Sequence, residues 1–341
     1  MAVDVPSRRA DLEPGSSGGS GLSAGHAILV VVALASAGIA LRLANPARLA
    51  WLQNFLIVFS SLLVEALPFI LLGALASAAI EVFVPQSAFA RIARLPRPLQ
   101  LPAAAMAGVA FPVCECGSVP VARRLVAKGL APSAAVTFML AAPILNPVVV
   151  ASTFVAYRGR DALWTMVLGR MGLGCVVAIA VGWMVGNARK EDLLRPGAAD
   201  DGDRSDDEPR WSRFFGHLSG DFVFMATFLV MGAALAATMQ TFVPQSVIGG
   251  VAGTPVLDLV AMMALAFVLS LCSESDAFVA ASFVQFGPAA QLAFLVFGPT
   301  VDMKLGALYV GTYSRGFFRT VVVAVAAVIL AGTLWIKVMA G

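Results

Sequence analysis

Phe83-Val-Pro-Gln-Ser87 and Phe242-Val-Pro-Gln-Ser246 are the same five residues in the same order, 159 positions apart. The same offset lays Phe69-Ile-Leu-Leu-Gly73-Ala74 on Phe228-Leu-Val-Met-Gly232-Ala233. Further along, Cys114-Glu-Cys-Gly-Ser118 falls opposite Cys272-Ser-Glu-Ser-Asp276, Gly129 opposite Gly287, and Ala142-Pro-Ile-Leu-Asn146 opposite Gly298-Pro-Thr-Val-Asp302. Arg170 and Arg319 then stand where the last segment of each copy should open. Self-similarity at one spacing marks a chain built from two copies of a unit.

Composition says where such a unit lives. Of 341 residues, 59% are hydrophobic and 13% charged, and the mean hydropathy is +0.87. A soluble domain carries about 25% charged residues, so a body this poor in charge cannot be covered in water and belongs in a lipid bilayer. Lys and Arg are scattered between apolar runs, which excludes a nucleic-acid face. His26 and His217 are the only histidines, leaving none for a Ser-His-Asp triad or an HExxH zinc site, and no GxxxxGK[ST] phosphate loop occurs. The Gly15 to Gly21 stretch lacks the flanking strand and helix that such a loop requires.

The expected organisation is an all-α polytopic membrane protein. Residues 1–25 read as a disordered tail and 26–46 as an N-terminal transmembrane helix that stays in the mature chain. Residues 51–186 form repeat 1, 187–216 an acidic linker containing ADDGDRSDDEP, and 217–341 repeat 2. Apolar segments at roughly 51–84, 101–122, 131–156, 162–186, 219–243, 255–286, 289–311 and 317–338 approach or exceed the ~20 residues that cross hydrocarbon. Lys and Arg favour the cytoplasmic side, and two clusters in repeat 1, Arg91 to Arg97 and Arg123 to Lys128, flank the cysteine segment. Repeat 2 has no Lys or Arg from Pro244 through Met303. A cysteine segment that enters and turns back puts both clusters on one side and the uncharged counterpart on the other. The expectation is two inverted repeats, each of about three crossings plus one re-entrant hairpin.

Prolines break the segments at matching places: Pro112 and Pro120 around Cys114-Glu-Cys-Gly, Pro143 and Pro147 around Asn146, and Pro299 before Asp302. Opened backbone at membrane depth lines a cavity or is buried in protein, and paired breaks point to a transporter's binding site. The residues standing there are Cys114, Glu115, Cys116 and Asn146 from one copy and Cys272, Glu274, Asp276 and Asp302 from the other. Carboxylates at that depth are by default functional or paired, and proton coupling through Glu274 and Asp276 is one expectation. Two thiols one residue apart can turn toward one soft centre, so Cys114 and Cys116 are the expected ligands if a soft metal or metalloid is carried. Cys175 reads as a small buried hydrophobe, Lys304 as a neutraliser of Asp302 or a substrate contact, and Gly182 with Gly186 as a close helix approach. Glu65 and Glu81 are proton carriers or reach the interface.

At these residues the sequence resembles the ArsP/YraQ-type predicted permeases, a family of bacterial inner-membrane proteins. The resemblance rests on Phe111-Pro-Val-Cys-Glu-Cys-Gly-Ser-Val-Pro120, Ala142-Pro-Ile-Leu-Asn-Pro147, Leu271-Cys-Ser-Glu-Ser-Asp-Ala-Phe278 and Gly298-Pro-Thr-Val-Asp-Met-Lys304, and runs from about Trp51 to the end. It implies a multi-pass permease, no enzyme and no cofactor. The solute it implies is small and thiophilic: members with an assigned activity are similar to trivalent organoarsenical efflux permeases, and carried over, the thiols that take up the arsenical are Cys114 and Cys116. The competing expectation is a membrane subunit of a multi-component divalent-metal transport complex, with a second membrane or soluble subunit as partner. A thiol redox enzyme is disfavoured, because no second reactive pair stands near to relay electrons.

Overall fold

A computed structural model describes residues 50–83, 96–110, 113–186, 209–242 and 256–340. The tail, the segment at 26–46, Arg91, Arg94, the Val-Pro-Gln-Ser parts of both repeated pentapeptides and the linker through Glu208 lie outside the described residues. The described chain is helical throughout: α1 (Ala50–Phe83), α2 (Arg97–Ala110), α3 (Glu115–Ala127), α4 (Pro132–Leu145), α5 (Pro147–Ala156) and α6 (Leu163–Val185), followed by α7 (Arg210–Phe242), α8 (Leu257–Leu269), α9 (Asp276–Ser282), α10 (Pro288–Phe297), α11 (Met303–Thr312) and α12 (Arg315–Ala340). The second six follow the first six in order: one very long helix, four short ones and one long one. Helix α7 begins inside the stretch read as linker.

Among the described residues, five stretches are long and apolar enough to cross a membrane: Trp51–Phe83, Pro132–Ala156, Leu163–Val185, Arg210–Phe242 and Arg315–Met339. Four of the apolar segments are each split in two, as the breaks read from the sequence imply: 101–122 into α2 and α3, 131–156 into α4 and α5, 255–286 into α8 and α9, and 289–311 into α10 and α11. Helices of 13 and 14 residues rise only about 20 Å, short of the ~30 Å hydrocarbon core. Helix α6 marks the membrane's thickness. Its Trp164 and Trp183 are both 61% exposed, and 19 residues of helix set them about 28 Å apart, as interfacial tryptophans at the two faces would be.

Local sequence fixes the breaks. Pro132, Pro147 and Pro288 occupy first turns, where a missing N–H costs nothing. Asn146 Oδ1 accepts from Val148 N at 2.9 Å and Asp302 Oδ1 from Leu305 N at 2.6 Å, so repeat-equivalent residues cap α5 and α11. Pro120 lies inside α3, and the helix starts at Glu115, so the opened stretch around the cysteines is shorter than the flanking prolines suggest. Gly186, at φ +56°, ends α6, whereas Gly182 lies against α4, where a Cβ would meet Thr137 Oγ1.

Helices α1 and α7 pack along their whole length in opposite directions. Trp51 at the start of α1 stacks on Phe242 at the end of α7, with ring centroids 6.2 Å apart. At the other end Phe83 meets Trp211 at 6.0 Å and Phe214 at 5.9 Å, while Leu62 packs with Ala233 and Ala236 between them. Helix α3 lies against α1 at Gly73 and Gly117, so close that a Cβ on Gly73 would stand 2.4 Å from the Gly117 Cα. Backbone blocks backbone there, and neither side can rotate away. Gly73→Ala should therefore lower stability by about 1–3 kcal/mol through forced separation of α1 and α3, while Gly172→Ala, which meets nothing within 4 Å, should be neutral. Thermal unfolding in detergent checks both; equal melting of the two variants would contradict the close contact.

Arg123 and Arg124 are not in a turn after the cysteine segment. Both are buried in α3, where Arg123 Nη2 and Arg124 Nη2 donate to Asp221 Oδ1 of α7 at 2.9 and 3.2 Å. Ser77 of α1 donates to the other oxygen at 2.6 Å, and Glu81 pairs with Arg124 at 3.6 Å and Lys128 at 3.9 Å. These cations therefore pin α3 to the α1–α7 pair, and their charge serves packing as well as any sidedness rule. Arg319, the repeat mate of Arg170, is exposed on α12, whereas Arg170 is buried mid-helix in α6.

Candidate functional site

The breaks of both halves meet. Cys114, in extended conformation, precedes the first turn of α3, which holds Glu115 and Cys116; all three are buried. From the other half comes the loop between α8 and α9. It leaves α8 at Ser270, whose φ of 47° is left-handed and unusual for a residue with a Cβ. The Ser270 hydroxyl holds this turn by donating to Phe267 O and accepting from Met303 N at 3.0 Å, which ties the α8–α9 break to the α10–α11 break.

Ser273 joins the halves. Its Oγ lies 3.0 Å from Glu115 Oε2 and 3.4 Å from Glu274 Oε2, so one hydroxyl stands between two carboxylates. Beside them is Lys304 of α11, 1% exposed, its Nζ 3.9 Å from Glu115 Oε1, 4.0 Å from Asp302 Oδ2 and 3.8 Å from Cys272 Sγ. These are ion-pair distances, longer than the 2.7–3.2 Å of a direct N–H···O bond. Glu115 Oε1, Asp302 Oδ2 and Glu274 Oε1 have no hydrogen-bond partner among the described residues.

Asp276 is differently placed. Arg170 Nη1 and Nη2 take both its oxygens, at 2.9 and 2.8 Å, and also donate to Thr153 Oγ1 at 2.9 Å and Ser273 O at 3.1 Å. This bidentate fork engages both carboxylate oxygens and ties Asp276 to α6. On the α1 side Glu65 accepts from Ser275 Oγ at 2.7 Å, and Glu81 belongs to the α3 anchor.

Of the residues read from sequence, Cys114, Glu115, Cys116, Cys272, Glu274 and Asp302 are thus brought to one place, with Lys304 among them. Asn146 is buried and capping, with no described contact to the thiols, and Cys175 is half-buried on α6. Sequence reading missed Ser273 as the bridge and Arg170 as the partner of Asp276. An Arg in the middle of an apolar segment is itself a sign of a buried partner, and Arg170 was legible in that way. Among the described residues, no three His, Cys, Asp or Glu side chains are grouped to hold a metal ion.

Comparison with known proteins identifies the family. Residues 51–338 match the ArsP-type family described as predicted permease. The UPF0718 protein YcgR of Bacillus subtilis is 38% identical over 294 residues, covering 82% of this chain and 96% of the relative. A Streptococcus mutans serotype c protein, provisionally named a two-component membrane permease complex subunit, is 35% identical over 254 residues, covering 73% of this chain and 83% of that one. No solved structure matches. With five membrane-length stretches and a family match through both halves, the chain belongs to the ArsP-type predicted permeases and is a multi-pass bacterial membrane protein.

Proposed function

We propose that this permease carries a small thiophilic solute, trivalent organoarsenicals included, through the junction of its two halves, with efflux as the direction. The observation that carries the reading is the burial of Cys114, Cys116 and Cys272 at backbone breaks from opposite halves, joined by the Ser273 to Glu115 contact. Soft thiol donors suit a soft centre, and broken helices near the middle of a bundle are where transporters bind. Residues 51–186 and 217–341 act as inverted repeats in this reading. What supports the inversion is that α1 and α7, equivalent at an offset of 159, run antiparallel. The short α2, α3, α8 and α9 suit segments that enter and turn back.

Uptake of trivalent phenylarsenical into inside-out vesicles, with and without the expressed chain, tests the solute. Chain-dependent accumulation is expected, and its absence across arsenicals, antimonite and soft metal ions would sink the reading. Topology has its own test. A reporter inserted in the linker at 187–208 should be cytoplasmic, because three crossings separate it from an external end of repeat 1; an external reporter contradicts the re-entrant arrangement.

A second reading has one specific observation behind it, the name of the Streptococcus mutans relative. In it, the chain is the membrane subunit of a complex with a second component. Transport by the purified chain alone in liposomes separates the two: activity without any partner favours the self-sufficient permease.

A further inference from the structure

The carboxylates around Lys304 make an arrangement that, without the lysine, would suit a divalent cation. Glu115 Oε1 and Asp302 Oδ2 come from opposite halves, are buried, lack hydrogen-bond partners among the described residues, and face the same Nζ at 3.9 and 4.0 Å. Their separation from that point is what carboxylates keep from a hydrated hard cation such as Mg2+, which holds its waters and meets the protein through them. The ammonium is also held in place from behind. Helix α11 is pressed on α7 at Gly232, where a Cβ would stand 2.7 Å from the Lys304 Cα, so the side chain has a fixed origin and is directed into the cluster.

We propose that Lys304 determines specificity by standing, as a resident cation, where a divalent cation would otherwise bind between Glu115 and Asp302. The inference rests on the reading of this junction as the solute site and narrows it: the pocket offers thiols while its carboxylates are already served. A hard divalent ion would have to enter within about 4 Å of a fixed positive charge, at a depth where charges are weakly screened. A neutral thiophilic solute meets no such repulsion. Lys304 is on this account more than the neutraliser of Asp302, since it faces Glu115 and Cys272 at equal range.

The test uses the purified full chain and Mn2+, a hard-ion probe read by electron paramagnetic resonance. The wild type and Lys304→Arg should bind Mn2+ at least about 100-fold more weakly than Lys304→Gln, and adding Glu115→Gln to the latter should remove the gained site. Wild-type binding as tight as that of Lys304→Gln would overturn the proposal, as would a Lys304→Gln protein of wild-type melting behaviour that gains nothing. Should Lys304→Gln fail to fold, a measurement on the wild type still decides. Millimolar Mn2+ should leave vesicle transport of the thiophilic solute unchanged, and competition by Mn2+ overturns the proposal. Failure of these arms with cysteine-dependent transport intact would remove Lys304's role and leave the permease reading standing.

Discussion

Cys114→Ser and Cys116→Ser should each reduce transport of a thiophilic solute by about tenfold or more, and the double variant should abolish it. A soft centre held by two thiols loses most of its affinity when one becomes a harder, neutral hydroxyl. Serine is nearly the same size as cysteine and keeps a small side chain at both positions. Membrane level and melting temperature should therefore change little. Cys175→Ser, on a half-buried face of α6, is the control that should keep full activity. Cys272→Ser should give a partial loss, since its Sγ faces Lys304 at 3.8 Å but Cys114 and Cys116 remain. A double variant that transports normally would mean that the solute is held by carboxylates and opened backbone instead.

The repeat was legible because it is a property of order alone: recurrence of Phe-Val-Pro-Gln-Ser, and of polar residues beside breaks, implied the same succession of elements in both halves, and among the described residues the helices run in that order. Asn146 and Asp302 were legible for a similar reason, as short polar residues next to breaks, although Asn146 caps a helix and reaches no thiol. Partnership was not legible. Arg123 and Arg124 look in the sequence like loop cations, because nothing near them is acidic except Glu115; their partner Asp221 is 98 and 97 positions away. Charge counted along the chain treats a buried, paired arginine and a free one alike, and Arg123 and Arg124 are of the first kind. The Gly73 to Gly117 contact escaped notice because glycines in apolar helices are common, and only the crossing of α1 with α3 shows which of them cannot carry a side chain.

Whether Asp276 serves the solute or the fold is settled by comparing two substitutions. Asp276→Ala should cost about 3–5 kcal/mol, because it strands the Arg170 guanidinium, 1% exposed, between α6 and α9. Arg170→Met combined with Asp276→Leu should recover most of that loss, since two apolar side chains of similar volume need no partners. Thr153 Oγ1 keeps its bond to Val149 O at 2.8 Å in the double variant, so the Ser273 carbonyl is the group left short of a donor. Thermal unfolding in detergent measures the stability, and vesicle transport on the same preparations measures the function. A double variant that is stable and active makes the pair a strut between the halves, and proton coupling then falls to other groups. Stability without transport would place Asp276 among the groups that meet the solute, since packing alone would then be restored and activity not. The first outcome is expected, because both carboxylate oxygens are already taken at 2.8 and 2.9 Å, whereas Glu115 and Asp302 each keep one oxygen free of hydrogen bonds among the described residues.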